Sequence, residues 1–211
     1  MRPATPADLR AVVSLLADAF AISLRQPRYS QFLQRQVTTY CTVRLQTPRH
    51  QAALLVATTA DEEQPVAVCE VSVSAMTRSF ADQRLAPPPR SIYVSNVSVL
   101  PTVRRRGIGT ALLNAAQAYA IDAMQCSEAD AEADALLPLE VFLHCVLDDD
   151  AAYRLYSSAG FVTVAQHAPW ELPLFRQGAP RMRLLRKSLA ARQSAGRSLP
   201  FDKYVGRTLI H

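Results

Sequence analysis

No run of apolar residues in this chain is long enough to cross a bilayer. Strictly apolar stretches such as Ala52 to Ala57 fall far short of the roughly 20 residues a transmembrane helix needs, so no membrane contact is expected. Cysteine is scarce. Cys41, Cys69, Cys126 and Cys145 are scattered with no CxxC pair, and Cys69 and Cys145 sit in apolar, strand-like runs. They read as buried thiols of a reducing intracellular compartment, with no zinc spacing among them. His144 and Cys145 are adjacent, but neighbours on a strand point to opposite faces, so no metal site is expected. Lysine supplies two of the 23 basic residues, which reads as an arginine- and alanine-rich coding bias. The opening lacks a basic segment followed by an apolar core, so no secretory signal is expected and the chain reads as mature or already trimmed. No internal repeat is visible.

What is present suits one large domain. The 211 residues are 49% hydrophobic and 19% charged, too apolar for a disordered chain and enough to bury a core. The net charge of +5 points loosely to an anionic partner. That charge is uneven. From Arg176 to His211 there are nine basic residues against Asp202 alone, whereas residues 1–175 carry 14 basic and 17 acidic groups. The body therefore gives no reason to expect nucleic-acid binding. Residues 188–211, without periodicity, read as a basic C-terminal extension to a domain spanning 1–187. A solvated tail is the first reading of that extension; a contact with ribosomes, nucleic acid or another anionic partner is the alternative.

Thr5-Pro6-Ala7-Asp8 supplies a helix cap, a first-turn proline and an acid, and Leu9, Val12, Val13, Leu16 and Phe20 follow at helical spacing. A weaker helical pattern runs through Phe32, Leu33, Val37 and Tyr40. Strands are expected at Ala53 to Thr59 and Val66 to Met76, then a mobile proline-rich loop from Thr77 to Arg90 and a strand from Ser91 to Leu100. A long helix from about Gly107 to Met124 and an acidic connector from Ser127 to Ala135 come next. Leu139 to Leu147 is almost wholly apolar, as a strand buried on both faces would be. Asp148-Asp149-Asp150 opens a last helix stopped by Gly160, with final strands at Phe161 to Gln166 and Met182 to Leu185. The order is that of an α/β domain with a mixed sheet.

The chemistry is concentrated in Asn96-Val97-Ser98-Val99-Leu100-Pro101-Thr102-Val103-Arg104-Arg105-Arg106-Gly107-Ile108-Gly109-Thr110. A strand ends at proline, and a basic turn with two glycines leads straight into an apolar helix. Free amides and the positive dipole end of that helix, beside three arginines, suit a pyrophosphate. The segment is neither a Walker A loop nor a complete GxGxxG turn. Downstream lies Asp149-Asp150-Ala151-Ala152-Tyr153-Arg154-Leu155-Tyr156-Ser157-Ser158-Ala159-Gly160-Phe161.

Together the two segments resemble the GNAT superfamily of acetyl-CoA-dependent N-acetyltransferases. Arg104, Gly107 and Gly109 match its Q/R-x-x-G-x-G/A motif. Ala152, Leu155, Tyr156, Gly160 and Phe161 match its later N-x-x-A-x-x-L-Y-x-x-x-G-F motif, and Arg2 to Leu9 is similar to a family start. The resemblance covers about residues 1–187. It implies a mostly antiparallel central sheet of six to seven strands flanked by about four helices, with acetyl-CoA as co-substrate and no metal. It further implies that the backbone of Val97, Ser98 and Val99 holds the pantetheine arm, and that the amides of Arg105, Arg106, Gly107, Ile108, Gly109 and Thr110 cradle the pyrophosphate, with Arg104 adding charge. Tyr156 would face the sulfur and protonate the leaving thiolate; a core aromatic is its competing reading. Asp149 stands where the family commonly has a cofactor-binding asparagine, and an ionised carboxylate cannot donate that hydrogen bond.

A base must take a proton from the attacking amine. His144 shares a strand face with Glu140, Phe142 and Val146 and is suited to the task, against the alternative of a neutral core histidine. In NatE-type N-terminal acetyltransferases a tyrosine and a histidine at the spacings of Tyr93 and His144 act together. Glu70, alone in an apolar strand, is the runner-up base. The resemblance also extends to plastid GNAT proteins, through His144 and Pro169-Trp170. It implies protein N-terminal α-amines, and lysine ε-amines, as acceptors. The alternatives are a small-amine acetyltransferase for polyamines or arylalkylamines, and a non-catalytic CoA-binding scaffold. Plastid stroma or cytoplasm, and monomer or dimer, stay open.

Overall fold

The computed structural model describes residues 1–23, 30–59, 64–78, 83–125, 139–168, 170 and 180–189. The acidic connector, Cys126, Pro169 and all of the basic extension beyond Leu189 lie outside the described residues.

The first helix is started by charge. The Asp8 carboxylate reaches back to the Thr5 amide at 2.7 Å and is gripped by both terminal nitrogens of Arg2 at 2.6 and 2.7 Å. The Arg2 guanidinium holds the Asp8 carboxyl down at about 2. Arg2–Pro3 is itself a strand, β1, too short to leave a pattern in the sequence. After the Pro6–Asp8 turn come α1 (Leu9–Ser23) and α2 (Ser30–Gln46), then β2 (Ala52–Ala57), β3 (Ala67–Ser72) and β4 (Ile92–Val99). The chain continues through α3 (Ile108–Gln125), β5 (Leu139–Val146), α4 (Asp150–Ser158), β6 (Val162–Gln166) and β7 (Met182–Leu189).

The seven strands form one sheet in the order β1-β2-β3-β4-β5-β7-β6, antiparallel throughout except for β4 beside β5. With four helices around it among the described residues, this is the expected mixed α/β architecture. The helices cover both faces. Val12, Val13 and Leu16 of α1 and Val37 and Cys41 of α2 pack on Leu54, Val56 and Val68. On the opposite face Ile108, Leu112, Leu113 and Ala116 of α3 and Tyr156 of α4 pack on Leu55, Cys69, Val94, Leu143 and Cys145. Strands β2 and β3 are thus buried on both sides, which explains why they read as unbroken apolar runs. The three described cysteines, Cys41, Cys69 and Cys145, are buried free thiols as expected.

Two differences from the sequence reading matter. Of the Thr77 to Arg90 segment, expected as a mobile loop, residues 79–82 lie outside the described residues, and the remainder carries a turn at Gln83–Leu85 and is tied down by side chains described below. Strand β7 runs on through Ser188 and Leu189, which pair with Glu140 and Leu139. Its basic residues have partners in the fold: Arg183 donates to the Leu147 carbonyl at 2.6 Å and stacks on Tyr153, Arg186 pairs with Glu140 at 3.2 Å, and Lys187 lies over Phe161. Part of the basic excess is therefore structural.

Candidate active site

The site originates in one extra residue. Val68 of β3 pairs with Ser98 of β4 and Glu70 with Ser95, so a single residue of β3 lies opposite two of β4. Asn96 takes up the excess in the left-handed region, with φ 55. Asparagine is among the few side chains that tolerate this conformation, and such a bulge bends its strand. Past the bulge β4 leaves β5. Their parallel ladder covers only Ile92–Val94 against Val141–Leu143, although both strands continue. From Ser95 to Val99 the strand has no β5 partner in register, and a notch opens beyond Val94 and Leu143.

The basic turn lies at the end of that strand. Arg105 and Gly107 both have positive φ, at 67 and 77, and the Gly107 carbonyl accepts the Ala111 amide at 2.9 Å. Gly107 therefore caps α3, and the first-turn amides of Ile108, Gly109 and Thr110 have no partner within the helix. Positive φ at Arg105 and again at Gly107 is backbone of the kind that can turn successive amides to one side. Arg104 staples the turn, its Nε donating to the Val99 carbonyl at 2.9 Å, while Arg105 and Arg106 are exposed. Gly109 is close-packed instead: a Cβ there would stand 3.0 Å from Leu155 Cδ2, so a larger residue would press on that leucine. The two sequence motifs thus touch through Gly109 and Leu155.

At the apex of the notch, on the α1–α2 face of the sheet, Tyr93 and His144 meet. The Tyr93 hydroxyl lies 2.8 Å from His144 Nδ1, with the rings edge to face. His144 Nε2 is 3.0 Å from the Leu85 carbonyl. A carbonyl only accepts, so Nε2 carries a proton and Nδ1 of the neutral ring accepts from Tyr93. Leu85, Phe142 and Leu184 form an apolar surround, and His144 remains partly exposed. Burial raises the Tyr93 hydroxyl well above its ordinary value, as does the nearby Glu70 charge, so Tyr93 stays protonated in neutral solution.

Tyr156 approaches from the opposite face, packed in the main core against Phe161. Burial raises its hydroxyl, and so do the neighbouring Cys145, Asp149 and Tyr93. A protonated phenol there can donate a hydrogen bond to developing negative charge. Asp149 accepts from the Ala152 amide at 2.9 Å and is the N-cap of α4. The structure therefore brings Tyr93 and His144 into contact, sets Tyr156 across the sheet from them, and ties Asp149 to its own helix. Ser98 is turned to the helices, donating to the Leu15 carbonyl at 3.3 Å.

Glu70 is fully buried and encircled. Its carboxylate accepts from Tyr40, from Asn96 Nδ2 at 2.9 Å and from Ser72 at 3.2 Å, and pairs with Arg44 Nε at 2.8 Å. Burial pushes its carboxyl up to about 7, against the hydrogen bonds from Ser72 and Asn96. This group anchors α2 to the bulge residue and has no open side for a substrate. Glu70→Ala would strand Arg44 as a buried unpaired charge, and about 3–5 kcal/mol of unfolding free energy should be lost. Glu70→Gln should keep most of kcat; a loss as deep as that of His144 variants, without destabilisation, would make Glu70 the base.

Sequence reasoning missed Asn96, Tyr40, Arg44 and Arg78. Only Asn96 left a signal: an asparagine interrupting a run of β-formers marks a candidate left-handed residue.

Comparison with known proteins supplies the family. Residues 51–163, more than half of the chain, match the family model described as acetyltransferase (GNAT) domain. A curated relative, the chloroplastic GCN5-related N-acetyltransferase 5 of Arabidopsis thaliana, is 27% identical over 193 residues, covering 86% of this chain and 56% of that protein. The chain thus spans little more than half the length of that relative. Among solved structures, ribosomal-protein-alanine N-acetyltransferase from Brucella melitensis superposes with a TM-score of 0.57 at 20% identity, over 89% of this chain and 98% of that one. Spermidine N-acetyltransferase from Vibrio cholerae, in complex with CoA and spermine, gives 0.56 at 14%, over 90% and 95%. Arabidopsis thaliana NAA60 in complex with acetyl-CoA gives 0.51 at 19%, over 89% and 97%. At these identities the structural likeness is one of fold. The bulged and split sheet, the glycine turn capping α3 and the family match together identify this chain as a member of the GNAT acetyltransferase family.

Proposed function

We propose that this protein transfers an acetyl group from acetyl-CoA to primary amines, protein N-terminal α-amines first and lysine ε-amines second. The observation that carries this reading is the 2.8 Å contact of the Tyr93 hydroxyl with His144 Nδ1 at the apex of the notch. The residues fit the cofactor. Two left-handed residues and the three first-turn helix amides suit a pyrophosphate, and the stretch of β4 at Val97 to Val99, beyond its last pairing with β5, suits an amide-rich arm. When bound, acetyl-CoA supplies a thioester-activated acetyl group.

This chain's residues handle protons. The amine must shed one as its nitrogen bonds to the acetyl carbon and the carbon–sulfur bond breaks. The Tyr93–His144 pair accepts it, and Leu85, receiving Nε2–H, steadies the imidazolium that results. Tyr156 is the hydrogen-bond donor for the departing sulfur.

An α-amine suits a neutral imidazole better than a lysine does. Its ordinary pKa of about 8 lies some 2.5 units below that of lysine, so its deprotonation costs about 3 kcal/mol less. The chloroplastic relative favours the plastid as location. No helix among the described residues is long and apolar enough to cross a membrane.

Turnover of acetyl-CoA against three acceptor sets tests the proposal: peptides with free N-termini, N-terminally blocked peptides containing lysine, and a panel of polyamines and arylalkylamines. Free N-termini should give the highest kcat/KM. A preference for spermidine or an arylalkylamine would overturn the acceptor assignment. Tight acetyl-CoA binding with no turnover of any acceptor would point to a scaffold.

A further inference from the structure

Three consecutive prolines, Pro87-Pro88-Pro89, precede β4. Proline has no amide proton and a fixed φ, so such a run is stiff and cannot pair into a ladder. Its carbonyls need donors from elsewhere. One side chain supplies them. Arg78 Nη1 donates to the Pro88 carbonyl at 2.6 Å and to that of Pro87 at 3.4 Å. Arg78 Nη2 donates to the Pro89 carbonyl at 2.8 Å and to the Ser91 carbonyl. Ser91 Oγ closes the same loop on Pro88 at 2.7 Å. A planar guanidinium, with several donors in a fixed fork, is suited to collecting four carbonyls that lie together.

Arg78 is itself fixed. It follows the Ala75–Thr77 turn, whose Thr77 carbonyl accepts from Arg44 Nη2 at 2.7 Å, and Arg44 is the partner of Glu70. On its other side the clamped loop begins with the Gln83–Leu85 turn, and Leu85 presents the carbonyl that takes His144 Nε2–H.

We propose that Arg78 is a positioning residue for acetyl transfer: by clamping the triple-proline loop it holds the Leu85 carbonyl against His144 and so fixes the ring tautomer that turns Nδ1 toward Tyr93. The proposal rests on His144 being the proton acceptor of the reaction. Without the clamp the loop keeps its stiffness but loses its seat. The Leu85 carbonyl withdraws, the contact that favours a protonated Nε2 is lost, and the tautomer with Nδ1–H, which cannot accept from Tyr93, gains population.

The test is side-chain nitrogen NMR of the full chain labelled with ¹⁵N-histidine, with the His144 resonances assigned through His144→Gln, compared across wild type, Arg78→Met and Arg78→Lys. Wild type should show a protonated Nε2 and an unprotonated Nδ1 at His144. Arg78→Met should show the average of two tautomers and a roughly tenfold lower kcat, with the KM for acetyl-CoA unchanged. Arg78→Lys, a point charge without the fork, should fall between the two and serves as the deciding variant if Arg78→Met does not fold. Unchanged tautomer and kcat in the variants, or a wild-type ring protonated at Nδ1, would overturn the proposal. The NMR readout is independent of turnover: if His144 variants prove fully active the catalytic reading fails, while the effect of Arg78 on the ring is still decided.

Discussion

Replacing His144 with alanine should lower kcat by about 10²- to 10⁴-fold, the usual contribution of a positioned general base. The affinity for acetyl-CoA should stay within about twofold. The two effects separate because the imidazole and the glycine turn proposed to hold the pyrophosphate lie at different places along β4. The first contacts Tyr93 near the start of that strand, and the second follows its far end. Alanine also removes the hydrogen bonds that the Leu85 carbonyl and the Tyr93 hydroxyl make to the ring, so turnover must be referred to folded protein. His144→Gln is the cleaner companion. Its amide can still donate to Leu85 yet takes up no proton. Equal losses in both variants would assign the effect to proton transfer, whereas recovery in glutamine would assign it to packing.

The second large effect is expected at Gly107. A Cβ on this residue would meet nothing within 4 Å, so the fold has room for a side chain. Two other costs apply. With φ +77 an L-residue is strained by about 1 kcal/mol or a little more, and a carboxylate would stand at the helix amides proposed to hold the pyrophosphate. Gly107→Ala carries the strain alone and should weaken acetyl-CoA binding only modestly. Gly107→Glu adds charge repulsion and the loss of one or two charge-assisted hydrogen bonds, and should weaken binding by at least about a hundredfold. Calorimetric titration with acetyl-CoA, beside thermal unfolding, reads both quantities. Retention of tight binding by Gly107→Glu would remove the pyrophosphate from this turn.

Much of the fold was legible because its elements carry strong local patterns. The helical stripe of Leu9, Val12, Val13 and Leu16 is the face that α1 buries, and the apolar run from Leu139 is β5, though one face of it is only half-buried at Glu140, His144 and Val146 rather than covered as expected. The glycine turn before α3 was legible for a similar reason: Gly107, Gly109 and the arginines declare backbone freedom and charge in a few consecutive positions, and positive φ is found at Arg105 and Gly107. The pairing of Tyr93 with His144 came from resemblance, and the structure places the two in contact. The bulge was not legible, because it belongs to the register of β3 against β4 and to no single segment. Asn96 shows its meaning only once Val68 and Glu70 are found opposite Ser98 and Ser95.

The Glu70 cluster was half read. An isolated acid in an apolar strand announced that it needs partners, but Tyr40, Arg44 and Asn96 reach it from another helix and another strand. Arg78 was invisible for a different reason. Its partners are backbone carbonyls, which every residue possesses, so no side-chain pattern marks them. The proline run that looked like a mobile linker is instead a stiff ligand for that arginine.

The central claim, that Tyr93 and His144 form one proton-accepting unit, is tested most directly by a double-mutant cycle in kcat/KM. The cycle compares wild type, Tyr93→Phe, His144→Ala and the double variant, each on a peptide with a free N-terminus. If the pair acts as a unit, the double variant should be no slower than His144→Ala alone. Losses that multiply, so that the double variant falls by the product of the two single effects, would contradict it.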